Sequence, residues 1–336
     1  MSVVIGLSAV IIAIQDDQAV VLTVRPNDPR TGQPSVLAGL PFGSFDPDGR
    51  RTFELALRAF VEAQTRFDLG YVEQLYTFGD RGREAPMADL EAVDDTAATA
   101  RVISVGYLAL TPQAVQTEAP DTAWAPWPRF FPWEDWRNGR PALLDETIAP
   151  ALRRWAEAAG GAEAERRWSR GRLLFALEDA PWNEERVLER YELLYEARLL
   201  AEAARDHDRA AGRASPEPQP EPGSAFGQPM ISDHRRILAT GLGRLRGKLK
   251  YRPVVFELTP PEFTLSRLQR TVEAISGASL HKQNFRRSVE RTGLVEGLGR
   301  FDVETGGRPA ELFRFRRELL DAMPVSGLSL PTLGKG

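Results

Sequence analysis

The residues with the clearest chemistry lie late in the chain, where His281, Lys282, Gln283, Asn284, Arg286 and Arg287 follow one another with only Phe285 between them. Gln and Asn amides form paired hydrogen bonds with adenine, and Arg or Lys with guanine, so this set suits base edges in a DNA major groove. Phe285 reads as the anchor of the same segment to a core. Arg308, beside Gly306, Gly307 and Pro309, is placed to contact phosphate or the minor groove.

Such side chains read DNA only from a helix held against the groove, and the flanking residues predict that support. Thr264 is positioned to cap a helix over 265–275, with Leu268, Val272 and Ile275 on one face. A turn over 276–279 contains Gly277, Ser279 is placed to cap a second helix over 280–291, and Gly293 stops it. Residues 254–258 read as a short strand, and 294–297 with 312–315 as a hairpin around the Gly-rich tip. Helix, turn, helix and hairpin together describe a winged helix-turn-helix.

Composition narrows the remaining chemistry. The chain has 336 residues, enough for two domains, and no cysteine, which excludes disulfides, thiolate catalysis and Cys-ligated metals. His207, His234 and His281 lie far apart, so no metal site is expected. The formal charge of −4 conceals a stripe over 235–252 with seven basic residues and no acidic one. A mildly acidic protein with local basic stripes is able to bind nucleic acid. The apolar start at 3–14 lacks the basic flank and cleavage site of a signal peptide and is too short to span a bilayer. A cytoplasmic protein without membrane contact is the expectation.

The N-terminal part alternates strands and helices. Two β-branched runs over 3–24 flank Asp16 and Asp17 and read as a strand pair. Thr52 caps a helical stretch with apolar residues at Phe53, Leu57, Phe60 and Val61, and 70–78 and 101–110 read as strands. All seven tryptophans fall within 113–206, amid helical stretches over 148–159 and 184–205. Their expected role is the core of a helical insertion, since tryptophan buries large area in any small core. The Pro-rich run after 214 cannot form a helix or a central strand. The division predicted is a core over 1–112, a Trp-rich insertion over 113–206, a flexible linker over 207–230, a closing helix over 231–250, a winged helix over 251–323 and a tail over 324–336.

The first part resembles the Nudix fold at its diagnostic loop and helix. A Nudix box carries Arg-Glu-apolar-x-Glu-Glu-x-Gly on one helix, and its carboxylates hold the divalent metals that activate water against a pyrophosphate. Here Arg58 and Glu62 match, but Ala59 and Ala63 replace two carboxylates, Thr65 replaces the Gly, and an earlier Glu falls at Arg50. One carboxylate cannot assemble that metal cluster, so no catalytic residue, no metal and no catalytic cofactor are expected. Glu62 is expected to pair with Arg58 across one helical turn.

Both parts together resemble the Nudix-related transcriptional regulators of bacterial NAD metabolism. The resemblance rests on Gln74 to Asp80, on 101–107, on Asp233 and His234 through Arg246, and on Phe256, Phe263, Asn284 to Arg287 and Gly307 to Ala310. It implies an α/β (α+β) Nudix-like domain with a helical insertion, followed by a C-terminal winged helix-turn-helix. It further implies a homodimeric repressor of NAD-biosynthesis genes on a palindromic double-stranded DNA operator. The effector is expected to be NAD, ADP-ribose or another adenine nucleotide, with Arg25, Phe42, Phe45, Arg50 and Arg58 on the strand, loop and helix that line a Nudix pocket. Two alternatives remain: an active hydrolase of NAD or ADP-ribose with an appended DNA-binding domain, and a non-enzymatic nucleotide-binding adaptor.

Overall fold

The computed structural model describes residues 3–27, 32, 34–46, 49, 52–66, 69–80, 101–114, 119, 121–213, 218–302 and 309–319. Strands β1 (Val3–Gln15) and β2 (Gln18–Val24) form a hairpin through Asp16 and Asp17, both with positive φ (49° and 59°). That two-residue turn matches the right-handed twist of the strands, and Asp tolerates the left-handed region better than most residues. With β3 (Phe42–Ser44), β4 (Tyr71–Phe78), β5 (Arg101–Leu110) and β6 (Thr122–Pro126) they make a mixed sheet in the order β4-β5-β1-β2-β6, with β3 paired to β1. The β1–β5 pair is parallel and the other pairs are antiparallel.

Alternation along β1 separates two faces. Leu7, Ala9 and Ile11 pack under helix α1 (Phe53–Thr65), against Leu57 and Val61. Val10 and Ile12 face the other way, toward Ile237, Leu238 and Leu242 of a long helix, His234–Tyr251. Burial on both faces explains why β1 is one unbroken apolar run. The long helix approaches closely because a Cβ at Gly241 would lie 2.9 Å from the Val10 side chain.

Between them come α2 (Ala149–Glu157), α3 (Gly161–Leu174), α4 (Val187–Glu196) and α5 (Ala201–Ala210), and the long helix is α6. The single helix expected over 184–205 is therefore two, broken at Arg198, whose φ is +57°. Trp127 and Trp133 are buried, while Trp136 packs on Trp182 at 4.5 Å between ring centres. Arginines cover further indoles: Arg153 on Trp168 and Arg190 on Trp182, both at 3.9 Å. Within 207–230, α5 runs to Ala210, and Met230 is fully buried and bridges in parallel with Ala38.

The C-terminal part comprises β7 (Glu262–Thr264), α7 (Leu265–Ser276), α8 (Lys282–Thr292), β8 (Val295–Asp302) and β9 (Ala310–Phe315), with sheet order β7-β9-β8. Thr264 caps α7 by accepting from the Arg267 amide, and left-handed Gly277 and Gly293 end the two helices. Residues 254–258 form a 3-10 helix rather than the expected strand. The Pro253 carbonyl accepts from the Phe256 amide, and the tight turn buries Val254, Val255, Phe256 and Leu258 with no sheet partner among the described residues. Ser279 does not cap α8; its hydroxyl donates to the Arg137 carbonyl at 2.6 Å, and His281 precedes the helix without a side-chain cap.

One apolar cluster runs from Val10 and Ile12 through Trp127, Trp133 and Tyr191 to Leu268, Val272 and Phe285. The winged helix therefore shares a core with the sheet and the insertion. Among the described residues no helix is long and apolar enough to cross a membrane.

Candidate DNA interface and nucleotide site

Helix α8 divides cleanly. Phe285 and Val289 are fully buried, and Lys282, Gln283, Asn284, Arg286, Arg287 and Arg291 are exposed on the remaining surface, with His281 exposed just before it. Apolar residues four apart fix one stripe to the core and leave the rest of the helix to solvent.

The charges on this face have no carboxylate partner: Lys282, Arg286, Arg287 and Arg291 form no ion pair among the described residues. Arginines on the neighbouring strands differ. Arg300 of β8 pairs with Glu262, and Arg314 of β9 pairs with Glu296 at 2.7 Å. Cations without an ion pair among the described residues therefore gather on α8, joined by exposed Arg267 of α7. Arg308 lies outside the described residues.

The basic stripe over 235–252 has a different fate. Arg235 pairs with Glu202 inside the protein, Arg236 with Asp80, Arg244 and Lys248 with Glu73, Arg246 with Glu134, and Lys250 with Glu184 and Glu185. Only Arg252 of that stripe forms no ion pair among the described residues. The stripe closes the fold and is engaged inside it.

The turn between α7 and α8 is held from outside its own domain. The Trp136 amide donates to the Gly277 carbonyl at 2.6 Å, Trp127 Nε1 donates to the Ala274 carbonyl at 2.9 Å, and Arg246 Nε donates to the Ile275 carbonyl at 2.9 Å. Beneath them, Glu134 accepts from Arg190 and Arg246 at 2.5 Å each, with all three side chains fully buried. Burial lowers the Arg246 pKa and the Glu134 carboxylate opposes that shift. The β1–β2 hairpin tip adds an exposed ion pair, Asp17 with Arg270 of α7, at 2.8 Å.

In the Nudix-like part, the four described residues of the five expected at a nucleotide pocket disperse. Phe42 is buried edge-on against His234, and Phe45 meets Phe53 edge-on. Arg58 pairs with Glu54 at 2.9 Å, not with Glu62, and its guanidinium also donates to the Leu69 and Gly70 carbonyls. Glu54 precedes Arg58 by one turn, the better order for a helical ion pair. Glu62 is exposed. Arg50 lies outside the described residues. Arg25 is exposed at the mouth of a cavity of about 350 Å³ that Trp124, Arg129 and Gln228 also line. A second, open hollow of about 470 Å³ lies over α1, lined by Ser44, Asp46, Ala56, Ala59 and Phe60. Among the described residues no group of three or more His, Cys, Asp or Glu is arranged to hold a metal.

His234 stands where α6 begins. Its Nδ1 accepts from the Leu40 amide at 2.9 Å, and burial, helped by the charge of Arg205, lowers its pKa to about 3. The neutral ring thus fastens α6 to the loop before β3. Nothing in the sequence marks this histidine as structural, because its partners are distant in the chain.

Comparison with known proteins bears on the C-terminal part first. Residues 255–315 match the family model described as the NrtR DNA-binding winged helix domain. These residues form an NrtR-type winged helix. The curated "ADPR responsive transcriptional repressor NtrR" of Acinetobacter baylyi is 40% identical over 83 residues, which is 25% of this chain and 33% of that relative. The match thus spans about a third of the relative's length. The crystal structure of Shewanella oneidensis NrtR aligns over 93% of this chain and 94% of its own, at 20% identity and a TM-score of 0.51. A MutT/nudix family protein from Enterococcus faecalis aligns over 94% of this chain and 87% of its own, at 13% identity and a TM-score of 0.50. These likenesses concern the fold: a Nudix-like α/β domain precedes the NrtR-type winged helix, as the sequence implied.

Proposed function

We propose that this protein is a DNA-binding transcriptional repressor of NAD-biosynthesis genes, controlled by NAD, ADP-ribose or a related adenine nucleotide in a Nudix-like domain that does not hydrolyse it. The observation that carries the reading is the surface of α8, where amides suited to base edges and cations with no carboxylate partner among the described residues occupy the second helix of an NrtR-type winged helix. The name of the Acinetobacter relative, an ADPR-responsive repressor, supports the same class of effector. Loss of hydrolase chemistry is supported by Ala59 and Ala63, which stand where metal-holding carboxylates belong.

Repression would be exerted in the cytoplasm by a homodimer on a palindromic operator, its two α8 helices entering major grooves about one helical turn apart. Fluorescence anisotropy tests this with labelled promoter DNA from NAD-biosynthesis genes, a scrambled duplex and several salt concentrations. Tight, salt-dependent binding to the promoter and weak binding to the scrambled duplex is the expected result. Equal affinity for both duplexes refutes it.

A further inference from the structure

The cavity beside β6 carries the chemistry of an anionic nucleotide site, and the geometry points to it as the place where the effector binds. This rests on the nucleotide control proposed above and adds the site and its link to the winged helix. Arg25, at the end of β2, and Arg129, just after β6, both line the cavity and are exposed to solvent. Neither forms an ion pair among the described residues, whereas nearly every basic residue of the 235–252 stripe does. Arg129 is oriented by Gln228, whose amide oxygen accepts from its Nε.

Two guanidinium forks at one opening suit a pyrophosphate, which accepts paired, charge-assisted hydrogen bonds. Asp121 lines the same cavity, and its carboxylate is an acceptor for ribose hydroxyls. The volume of about 350 Å³ lies near the lower end of the ~300–1,000 Å³ usual for small-molecule sites. It takes one nucleoside and its phosphates, so the second half of a dinucleotide would extend beyond it. The hollow over α1 is the poorer host, since its described lining holds Asp46 and no cation.

The position of the cavity also explains how an occupant reaches the DNA-binding surface. Arg129 and Phe130 form part of its wall, and the residues on either side of them, Trp127 and Trp136, hold α7 and the turn after it. The Phe130 carbonyl accepts from Arg235 at 2.7 Å, which ties the same segment to α6. A phosphate that draws Arg129 away from Gln228 therefore acts on the segment that positions α8. This is a differential contact of the kind that coupling between two sites requires.

Isothermal titration calorimetry of the full chain with ADP-ribose, inorganic pyrophosphate and adenosine tests the site. Wild type is expected to bind ADP-ribose, with pyrophosphate competing. Arg129→Ala should weaken ADP-ribose about 10-fold, and Arg25→Ala with Arg129→Ala about 100-fold, the range of charged hydrogen bonds. Adenosine, which lacks phosphate, should lose less than 3-fold in either variant by the same reasoning. Arg166→Ala, remote on α3, serves as the surface control, and thermal melts confirm that each variant is folded. Failure of the wild type to bind ADP-ribose or pyrophosphate overturns the site, as does a folded double variant with wild-type affinity. Calorimetry decides this whatever the promoter assay shows, so the two readings fail separately.

Discussion

The backbone amide of Trp136, in the Trp-rich insertion, donates a 2.6 Å hydrogen bond to the carbonyl of Gly277, in the turn between the two helices of the winged helix. Gly277 is left-handed at φ +72°, and a Cβ there would lie 2.3 Å from the Glu134 carbonyl oxygen. That combination makes the glycine necessary twice, for backbone conformation and for close approach. Gly277→Ala should cost ~2–4 kcal/mol, above the ~1 kcal/mol of the conformation alone, because the clash is with rigid backbone. Urea denaturation measures the loss, and a value below ~1 kcal/mol would show that the turn relaxes away from the insertion.

Glu134 lies under that turn with Arg190 and Arg246, and all three are out of contact with water. Glu134→Ala leaves two buried guanidiniums without their counter-charge, so a loss of at least ~3–5 kcal/mol is expected, the cost of breaking a buried pair from one side. Calorimetric unfolding is the check. The same variant should also weaken promoter binding, because the support of the α7–α8 turn goes with the carboxylate.

On α8 the predictions separate by exposure. Asn284→Ala and Arg287→Ala should each cost ~1–3 kcal/mol of promoter affinity and relax preference at one base position, with stability within ~0.5 kcal/mol of wild type. Phe285→Ala, fully buried, should instead cost ~3–5 kcal/mol of stability. Binding and unfolding measured on the same preparations distinguish the two classes; a stable Phe285→Ala protein would contradict the packing described.

How much of this the sequence disclosed follows from range along the chain. The caps at Thr52 and Thr264 and the stops at Gly277 and Gly293 are local devices, and each was readable from neighbouring residues. So was the face of α8, because Phe285 and Val289 are one helical turn apart. The run 254–258 was misread as a strand because a short apolar stretch carries no period to separate strand from helical turn. Ser279 had the right chemistry for a cap but was taken by Arg137, 142 residues away. The partners of the 235–252 stripe are also mostly remote, as with Arg246 and Glu134, so its charge looked available when it was already used. The residues around the β6 cavity come from five separate stretches, so of its cations Arg25 is legible in the sequence and Arg129 is not.

Acid should unfold the protein partly through His234. Its folded pKa of about 3 lies below the ordinary value of 6.5, so the unfolded chain binds the extra proton first. The contribution of the neutral ring is complete above pH 6.5 and declines as pH falls toward 3, by at most roughly 5 kcal/mol for this one group. Denaturation midpoints at pH 7.5 and 5 should differ more for wild type than for His234→Gln. Identical pH dependence in the two proteins would show that the ring is not held neutral.

Nucleotide control of DNA binding is the central claim, and promoter affinity measured by anisotropy with and without saturating nucleotide tests it most directly. NAD or ADP-ribose should shift the promoter Kd by ~5–150-fold in one direction, the span of a coupling free energy of ~1–3 kcal/mol, and leave the weak binding to scrambled DNA nearly unchanged. A promoter Kd that stays within 2-fold at saturating concentrations of both nucleotides, by the same measure, would contradict the account.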